Sequence, residues 1–146
     1  MVLILEHVDP IAVALVEAIR GGDLEALERL LADAELATAR IRNARGGVRT
    51  LLHIATDWPG YFPNGPAAVA KLIAAGADPN ARTEGPRQLE TPLQWAASSD
   101  DFDVAEVLID GGADIEASGA SIADGTALDN AVGYGCWRVA RLLVQR

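Results

Sequence analysis

A repeated pair of sequence blocks is the feature that most constrains how this chain can fold. Three segments superpose on a threonine: TLLHIATDW from Thr50, TPLQWAASSD from Thr91 and TALDNAVGYG from Thr126. A second block follows each one: VAKLIAAGADPNA, VAEVLIDGGADIEA and VARLLVQR. Thr91 to Thr126 is a step of 35 residues, and Val104 to Val139 is the same step. Because the threonines and the valines are separated by the same number of residues, the similarity indicates an internal structural repeat.

Each copy is typical of two short helices joined by a turn. Thr91 followed by Pro92 suits a helix start, because the threonine side chain caps free amides and proline fits the first helical position. Gly111 and Gly112 suit the end of the second helix. The apolar stripes are Leu93, Ala96 and Ala97 in the first helix, and Val104, Val107 and Leu108 in the second. Helices of about three turns are marginal alone, so each pair must bury its stripes on a neighbouring pair.

The blocks TPLQWAA and AGADPNA resemble the ankyrin repeat, whose pattern opens with T-P-L-H-x-A. The resemblance covers roughly residues 11–146 and implies an all-α fold, an ankyrin-type helical repeat solenoid with β-turn or finger loops between repeats. We expect a single domain over residues 1–146. Its first repeat is degenerate and is expected to cap the N-terminal end, and its last repeat is weaker. The expected repeats are residues 11–37, 46–82, 87–118 and 122–146.

The chain departs from the ankyrin pattern between the helices of the second repeat. Thr50 to Leu72 spans 22 residues, whereas Thr91 to Leu108 spans 17, so the second repeat holds five extra residues. These lie in DWPGYFPNGP, whose prolines and glycines forbid a continuous helix. We interpret this loop as a lid over a neighbouring repeat or as a recognition element. The joins at 34–50 and 82–90 are also long and predict fingers.

The end of the last helix is a second departure. Its equivalent of Gly112 would fall one position past Arg146, which leaves Leu142, Leu143 and Val144 without a polar capping repeat. A piece of a longer polypeptide is the favoured interpretation, with fraying or self-association as alternatives.

Composition and charge narrow the function classes. The net charge is -9, and a basic surface for nucleic-acid phosphates is not expected. No apolar run approaches the roughly 18 residues of a membrane span, and a lone cysteine gives no support for an oxidising compartment, so we expect a cytoplasmic location. Ten acids and no Lys or Arg lie from Glu90 to Asp129, while four arginines and no acid lie in residues 38–50. This distribution indicates a solvated surface or an acidic face that steers basic partners.

Residues capable of chemistry do not form a recognisable site. One cysteine and two distant histidines lack the spacing of a metal centre, and no phosphate-binding or nucleophile motif is present. The family resemblance implies that His53 links adjacent turns by hydrogen bonds. Asp100, Asp101 and Asp103 are interpreted as solvated aspartates in a turn, and Cys136 as a buried or half-buried structural thiol. We therefore expect no catalytic residue, no cofactor and no metal.

The ankyrin resemblance implies partner contacts on a concave face formed by inner helices and fingers. Alignment on the repeat threonines and on the leucine register places the following residues there: Arg20, Asp57, Trp58, Trp95, Ser98, Ser99 and Tyr134. Exposed aromatics often dominate binding energy, although packing against the adjoining loop is an equal alternative for Trp58 and Tyr134. We predict a monomeric, non-catalytic module that binds a protein bearing a basic patch. The alternative is a regulatory or targeting domain of a longer polypeptide whose enzyme lies elsewhere.

Overall fold

Nine helices and three short strands make up the secondary structure in the computed structural model, which describes residues 2–85 and 89–146. The helices are α1 (Pro10–Gly21), α2 (Leu24–Leu31), α3 (Ala34–Ala37), α4 (Leu51–Thr56), α5 (Gly65–Ala74), α6 (Pro92–Ser98), α7 (Phe102–Asp110), α8 (Ala127–Gly133) and α9 (Trp137–Gln145). The strands are β1 (Ile4–Glu6), β2 (Arg40–Arg42) and β3 (Val48–Thr50).

The helices stack in two layers, as the sequence repeat predicts. In the inner layer α1 packs on α4, α4 on α6 and α6 on α8. In the outer layer α2 packs on α5, α5 on α7 and α7 on α9. Within each repeat the inner helix also contacts its outer partner. The helical repeat is thereby confirmed, and the first pair, α1 and α2, follows the same arrangement. The four-residue helix α3 was not predicted.

A reciprocal cap at each repeat threonine starts the inner helices of the last three repeats. The Thr91 amide donates to Gln94 Oε1 at 2.9 Å, and the Gln94 amide donates to Thr91 Oγ1 at 3.3 Å. His53 occupies the same place after Thr50, and Asp129 occupies it after Thr126. The capping box needs only an acceptor at this third position, so histidine, glutamine and aspartate all serve.

The core is continuous through the stack and is built from leucines between small alanines. Leu52, Leu93 and Leu108 are fully buried, and Ala96 and Ala131 let the inner helices approach closely. Leu142 and Leu143 are also buried, so the expectation that they lack cover is wrong for both. Helix α9 turns them towards α7 and α8, and Val144 alone of the three is exposed. The apolar face left at this end consists mainly of Val132, Trp137 and Val144.

The all-α expectation is wrong in one respect, because the first finger is part of a three-stranded sheet. Strands β2 and β3 form an antiparallel hairpin, as a finger loop predicts, and Ile41 pairs with Arg49. Strand β1, from the N-terminal extension, joins the hairpin in parallel, with Leu5 opposite Ile41. Buried Leu5 and Ile41 supply the apolar side of this sheet. We call residues 40–50 the first finger, 82–90 the second finger and 117–125 the third finger.

The second finger extends the contacts of the first. Val48 and Glu84 exchange two backbone hydrogen bonds, of 2.7 and 2.8 Å. The expected start of the third repeat, at residue 87, lies outside the described residues. Helix α6 begins at Pro92, as predicted from the cap and proline.

The inserted loop, residues 57–64, packs over neighbouring repeats. Asn64 Nδ2 donates to the Gly22 carbonyl of the first repeat at 2.9 Å. The Tyr61 amide donates to Asp101 Oδ2 of the third repeat at 2.8 Å, and Arg138 of the fourth repeat reaches Tyr61 Oη at 3.2 Å. Asp101 is therefore buried rather than solvated, and burial raises the pKa of its carboxyl. No helix among the described residues is long and apolar enough to cross a bilayer.

Leucine burial gives a matched test of the stack. Leu108→Ala removes a fully buried side chain between neighbouring outer helices, and we expect it to lower the free energy of unfolding by about 2–5 kcal/mol. Leu89→Ala makes the same chemical change at a side chain that is 53% exposed, and it should cost less than about 0.5 kcal/mol. Urea unfolding of both variants measures the difference. Similar losses in the two variants would contradict the packing described here.

Two glycines with left-handed backbones test how tightly the inserted loop is packed. Gly60 has φ +76°, and an added Cβ would lie 2.9 Å from Ser99 Oγ. Gly46, at the first finger's turn, has φ +88° and open space around it. Gly46→Ala should cost about 1 kcal/mol of backbone strain, and Gly60→Ala about 1 kcal/mol more because Ser99 must move. Equal losses in thermal or urea unfolding would show that the loop yields freely.

Candidate partner-binding site

Six of the seven side chains expected at a partner surface line one cleft on the inner layer. The cleft has a volume of about 240 Å³ and lies where α4, α6 and α8 end. Its predicted members are Asp57, Trp58, Trp95, Ser98, Ser99 and Tyr134, and Thr56, Glu90 and Ser121 complete the lining. Arg20 does not line the cleft but binds one of its members, Asp57.

Three aromatic side chains, one from each of three consecutive repeats, border this cleft. Trp58 is 79% exposed and Tyr134 is 52% exposed, so both keep side-chain surface that packing against an adjoining loop does not cover. Trp95 is half-buried, and its ring and that of His53 pack in a T-shaped arrangement with centroids 4.9 Å apart. The cleft therefore presents aromatic surface that the core does not require.

Asp57 is held by donors from three parts of the chain. Its Oδ2 accepts from Arg20 Nη2 at 3.0 Å and from Arg49 Nη1 at 2.8 Å, and its Oδ1 accepts from the Trp58 amide at 2.9 Å. Two guanidinium groups thus neutralise one carboxylate, with one positive charge in excess. The sequence identified Arg20 and Asp57 but not Arg49, which belongs to the first finger. Asp57 is a fixed element of the cleft wall.

Glu90 is a functional candidate that the sequence analysis missed. It is 94% buried, at 6% exposure, and its Oε2 accepts from the Ser121 amide and from Asn130 Nδ2, both at 3.1 Å. Its carbonyl accepts from His53 Nε2 at 2.8 Å. Glu90 immediately precedes a repeat threonine, where the other repeats have Arg49 and Gly125. An acid at that position is a weak signal, because Glu90 is also one of the ten acids of the run from Glu90 to Asp129.

The hydroxyl groups of the cleft are oriented by the helices that carry them. Ser98 Oγ donates to the Gln94 carbonyl at 3.0 Å, and Ser99 Oγ donates to the Trp95 carbonyl at 3.3 Å. Tyr134 Oη lies 3.1 Å from Ser121 Oγ of the third finger. Because Ser98 and Ser99 use their protons on backbone carbonyls, their oxygens act as acceptors, and Ser98 Oγ already accepts from Asn130 Nδ2 at 3.2 Å.

His53 is a buried structural side chain between the second repeat and the second finger. Its Nε2 donates to the Glu90 carbonyl, and its Nδ1 lies 2.8 Å from Thr50 Oγ1. Burial, aided by Arg40 and Arg49, lowers the pKa of His53 to about 4. The ring is therefore neutral near pH 7. Its hydrogen bonds agree with the linking role that the family resemblance implies.

Comparison with known protein families matches residues 60–146 to ankyrin repeats in three copies. That segment is more than half of the 146-residue chain. The chain belongs to the ankyrin repeat family. No curated protein matches it. Helices α1 to α4 lie outside the matched segment, but α1 packs on α4 and α2 packs on α5, so the first helix pair continues the two layers.

Ankyrin repeats are generally protein–protein interaction modules. Within residues 2–85 and 89–146, no three His, Cys, Asp or Glu side chains are grouped so that they could hold a metal ion. Cys136 is buried, and burial raises the pKa of its thiol, so the nucleophilic thiolate is disfavoured. Asp57 and Glu90 are held by fixed donors rather than paired with a nucleophile.

The depressed pKa of His53 predicts a pH dependence of ankyrin stability. The unfolded chain binds a proton at the histidine near pH 6.5, whereas the folded chain does so only near pH 4. Stability from this group is complete above pH 6.5 and falls by about 3 kcal/mol between pH 6.5 and 4. His53→Gln introduces glutamine, which the third repeat has at the equivalent position, Gln94. Glutamine does not titrate. The variant's unfolding free energy should lose about 3 kcal/mol less than the parent's over that range, measured by urea unfolding at each pH. Parallel curves for the two proteins would contradict neutral burial of His53.

Proposed function

We propose that this ankyrin chain is a non-catalytic, single-domain module that binds another protein through its inner-layer cleft and fingers. The observation that supports it best is the cleft itself, which gathers side chains from three consecutive repeats. Family-typical residues build the capping boxes and the core, whereas the side chains of Trp58 and Tyr134 contribute to neither. Large aromatics with a polar handle that remain exposed after folding are typical of interface hot spots.

The volume of the cleft favours a protein side chain over a free small molecule. At about 240 Å³ it lies below the ~300–1,000 Å³ range of clefts that enclose drug-sized ligands. A second cleft of about 320 Å³ adjoins it between the first and second fingers and shares Glu90 and Trp95. A partner segment that crosses both clefts would contact inner helices and fingers together.

Charge favours a partner that carries a basic patch. Three of the four first-finger arginines bind within the chain: Arg40 to the Arg82 carbonyl, Arg42 to Glu6 and Arg49 to Asp57. Only two of these contacts, those of Arg42 and Arg49, pair the charge with an acid, but the chain as a whole carries -9. A basic protein surface would be steered towards it, and we propose a monomer that engages such a partner without nucleic acid.

Affinity capture from native lysate with the parent chain and with a Trp58→Ala, Tyr134→Ala double variant tests this function. Any protein retained by the parent is purified and titrated against both chains. We expect the double variant to bind at least about thirtyfold more weakly, which is the loss of one hot spot of about 2 kcal/mol. Circular dichroism should show equal helicity, because both side chains are exposed.

Trp137→Ala is the matched control for the capture experiment. Trp137 is 62% exposed but lies on the end of the stack, away from the cleft. It should bind the captured protein as the parent does. If Trp137→Ala fails to bind the captured protein while the double variant still binds it, the interaction lies at the end of the stack and the proposal is wrong.

A further inference from the structure

The cleft combines aromatic surface with one carboxylate that no cation of the described chain neutralises. Glu90 is in no ion pair with any Arg, Lys or His in residues 2–85 and 89–146. Its two side-chain contacts, from the Ser121 amide and Asn130 Nδ2, are both neutral and both go to Oε2. Oε1 has no donor within that same part of the chain. A carboxylate buried with neutral donors is poorly compensated, and a positive group from outside would restore the balance.

The neighbouring acid of the cleft does not compete for that positive group. Asp57 already has two guanidinium partners, Arg20 and Arg49, and the Trp58 amide. The two carboxylates that line the cleft thus differ in their surroundings: Asp57 has a positive charge in excess, and Glu90 has only neutral donors. Glu90 is therefore the lining carboxylate at which an added cation is favoured.

The aromatic lining favours a cation of a particular kind. Trp58, Trp95 and Tyr134 line the same space, and tryptophan is the strongest aromatic partner for cations. A guanidinium is planar and more weakly hydrated than an ammonium, so it stacks on a ring and enters a partly buried site at lower desolvation cost. Its several N–H donors match Glu90 Oε1 and the acceptor oxygen of Ser99.

We propose that the cleft is a receptor for one arginine side chain of the partner protein, stacked against Trp95 and Trp58 and paired with Glu90. This inference rests on the proposed function, since it names the side chain by which the partner is recognised. The arginine stem would lie along the aromatic surface, as long cationic side chains do, with its guanidinium at the carboxylate. The partner segment that carries the arginine would pass the second finger at Glu90 and the third finger at Ser121.

The test uses the full chain and three synthetic heptapeptides that differ only at the centre, Gly-Ser-Gly-X-Gly-Ser-Gly, where X is arginine, citrulline or lysine. Citrulline keeps the shape of arginine but has no charge. The indole N–H signals of the three tryptophans are followed by nuclear magnetic resonance during titration into the millimolar range. Each signal is assigned by replacing one tryptophan at a time with phenylalanine, and Trp137, remote from the cleft, is an internal control.

We expect the arginine peptide to shift the Trp58 and Trp95 signals along a saturable curve and to leave Trp137 unchanged. The citrulline peptide should bind at least about tenfold more weakly, because the charge-assisted contact to Glu90 is lost. Glu90→Gln should weaken the arginine peptide by a similar factor. Glu116→Gln removes one negative charge from an exposed position on the chain and should leave binding unchanged. Trp58→Ala changes an exposed side chain and should leave the fold intact. It should weaken binding of the arginine peptide, which is then followed by the Trp95 signal.

Several results would overturn the arginine receptor. These are no saturable shift at Trp58 and Trp95, equal binding of the citrulline peptide, or equal weakening by Glu90→Gln and Glu116→Gln. Equal affinity for the lysine peptide would overturn the choice of arginine. If these peptides fail while the captured partner still depends on Trp58 and Tyr134, the proposed function stands and only this inference falls. If the peptides bind as expected but no partner depends on those aromatics, the failure lies with the proposed function.

Discussion

The third residue after each repeat threonine caps its own inner helix, and in the middle repeats it also holds the next finger. His53 accepts from the Thr50 side of its helix and donates to the Glu90 carbonyl of the second finger. Gln94 does the same, with Nε2 3.0 Å from the carbonyls of Ala117 and Ser118 in the third finger. One side chain thus sets the helix start and the distance to the next repeat. The placement of Glu90, and with it the cleft, depends on this link.

Much of the fold could be predicted because the repeat is written in local signals. Thr91 with Pro92 marked a helix start, the glycines after Leu108 marked a helix end, and the offset between copies gave the stacking. The lining of the cleft was also predictable in large part, since equivalent positions in successive repeats must lie side by side. Six of the expected residues line one space for this reason. Whether a protein binds there stays a prediction.

The features that were missed all depend on contacts between distant parts of the chain. Strand β1 is three residues long and gains its structure only by pairing with β2, 36 positions later. Asp101 was expected to be solvated because no local pattern indicates that the amide of Tyr61 covers it. Glu90 looked like one acid of a surface run, although Asn130 and Ser121 enclose it from the fourth repeat and third finger. Local pattern carries no information on such partners.

The inserted loop changes how the stack behaves as a whole. In a linear repeat array each unit interacts only with its neighbours, so the ends can open one repeat at a time. Here residues 57–64 of the second repeat bind Gly22 in the first, Asp101 in the third and Arg138 in the fourth. The second and fourth repeats are therefore coupled directly, across the third. The loop thus adds contacts between repeats that are not neighbours in the stack. Loosening one end of the stack therefore weakens its middle as well.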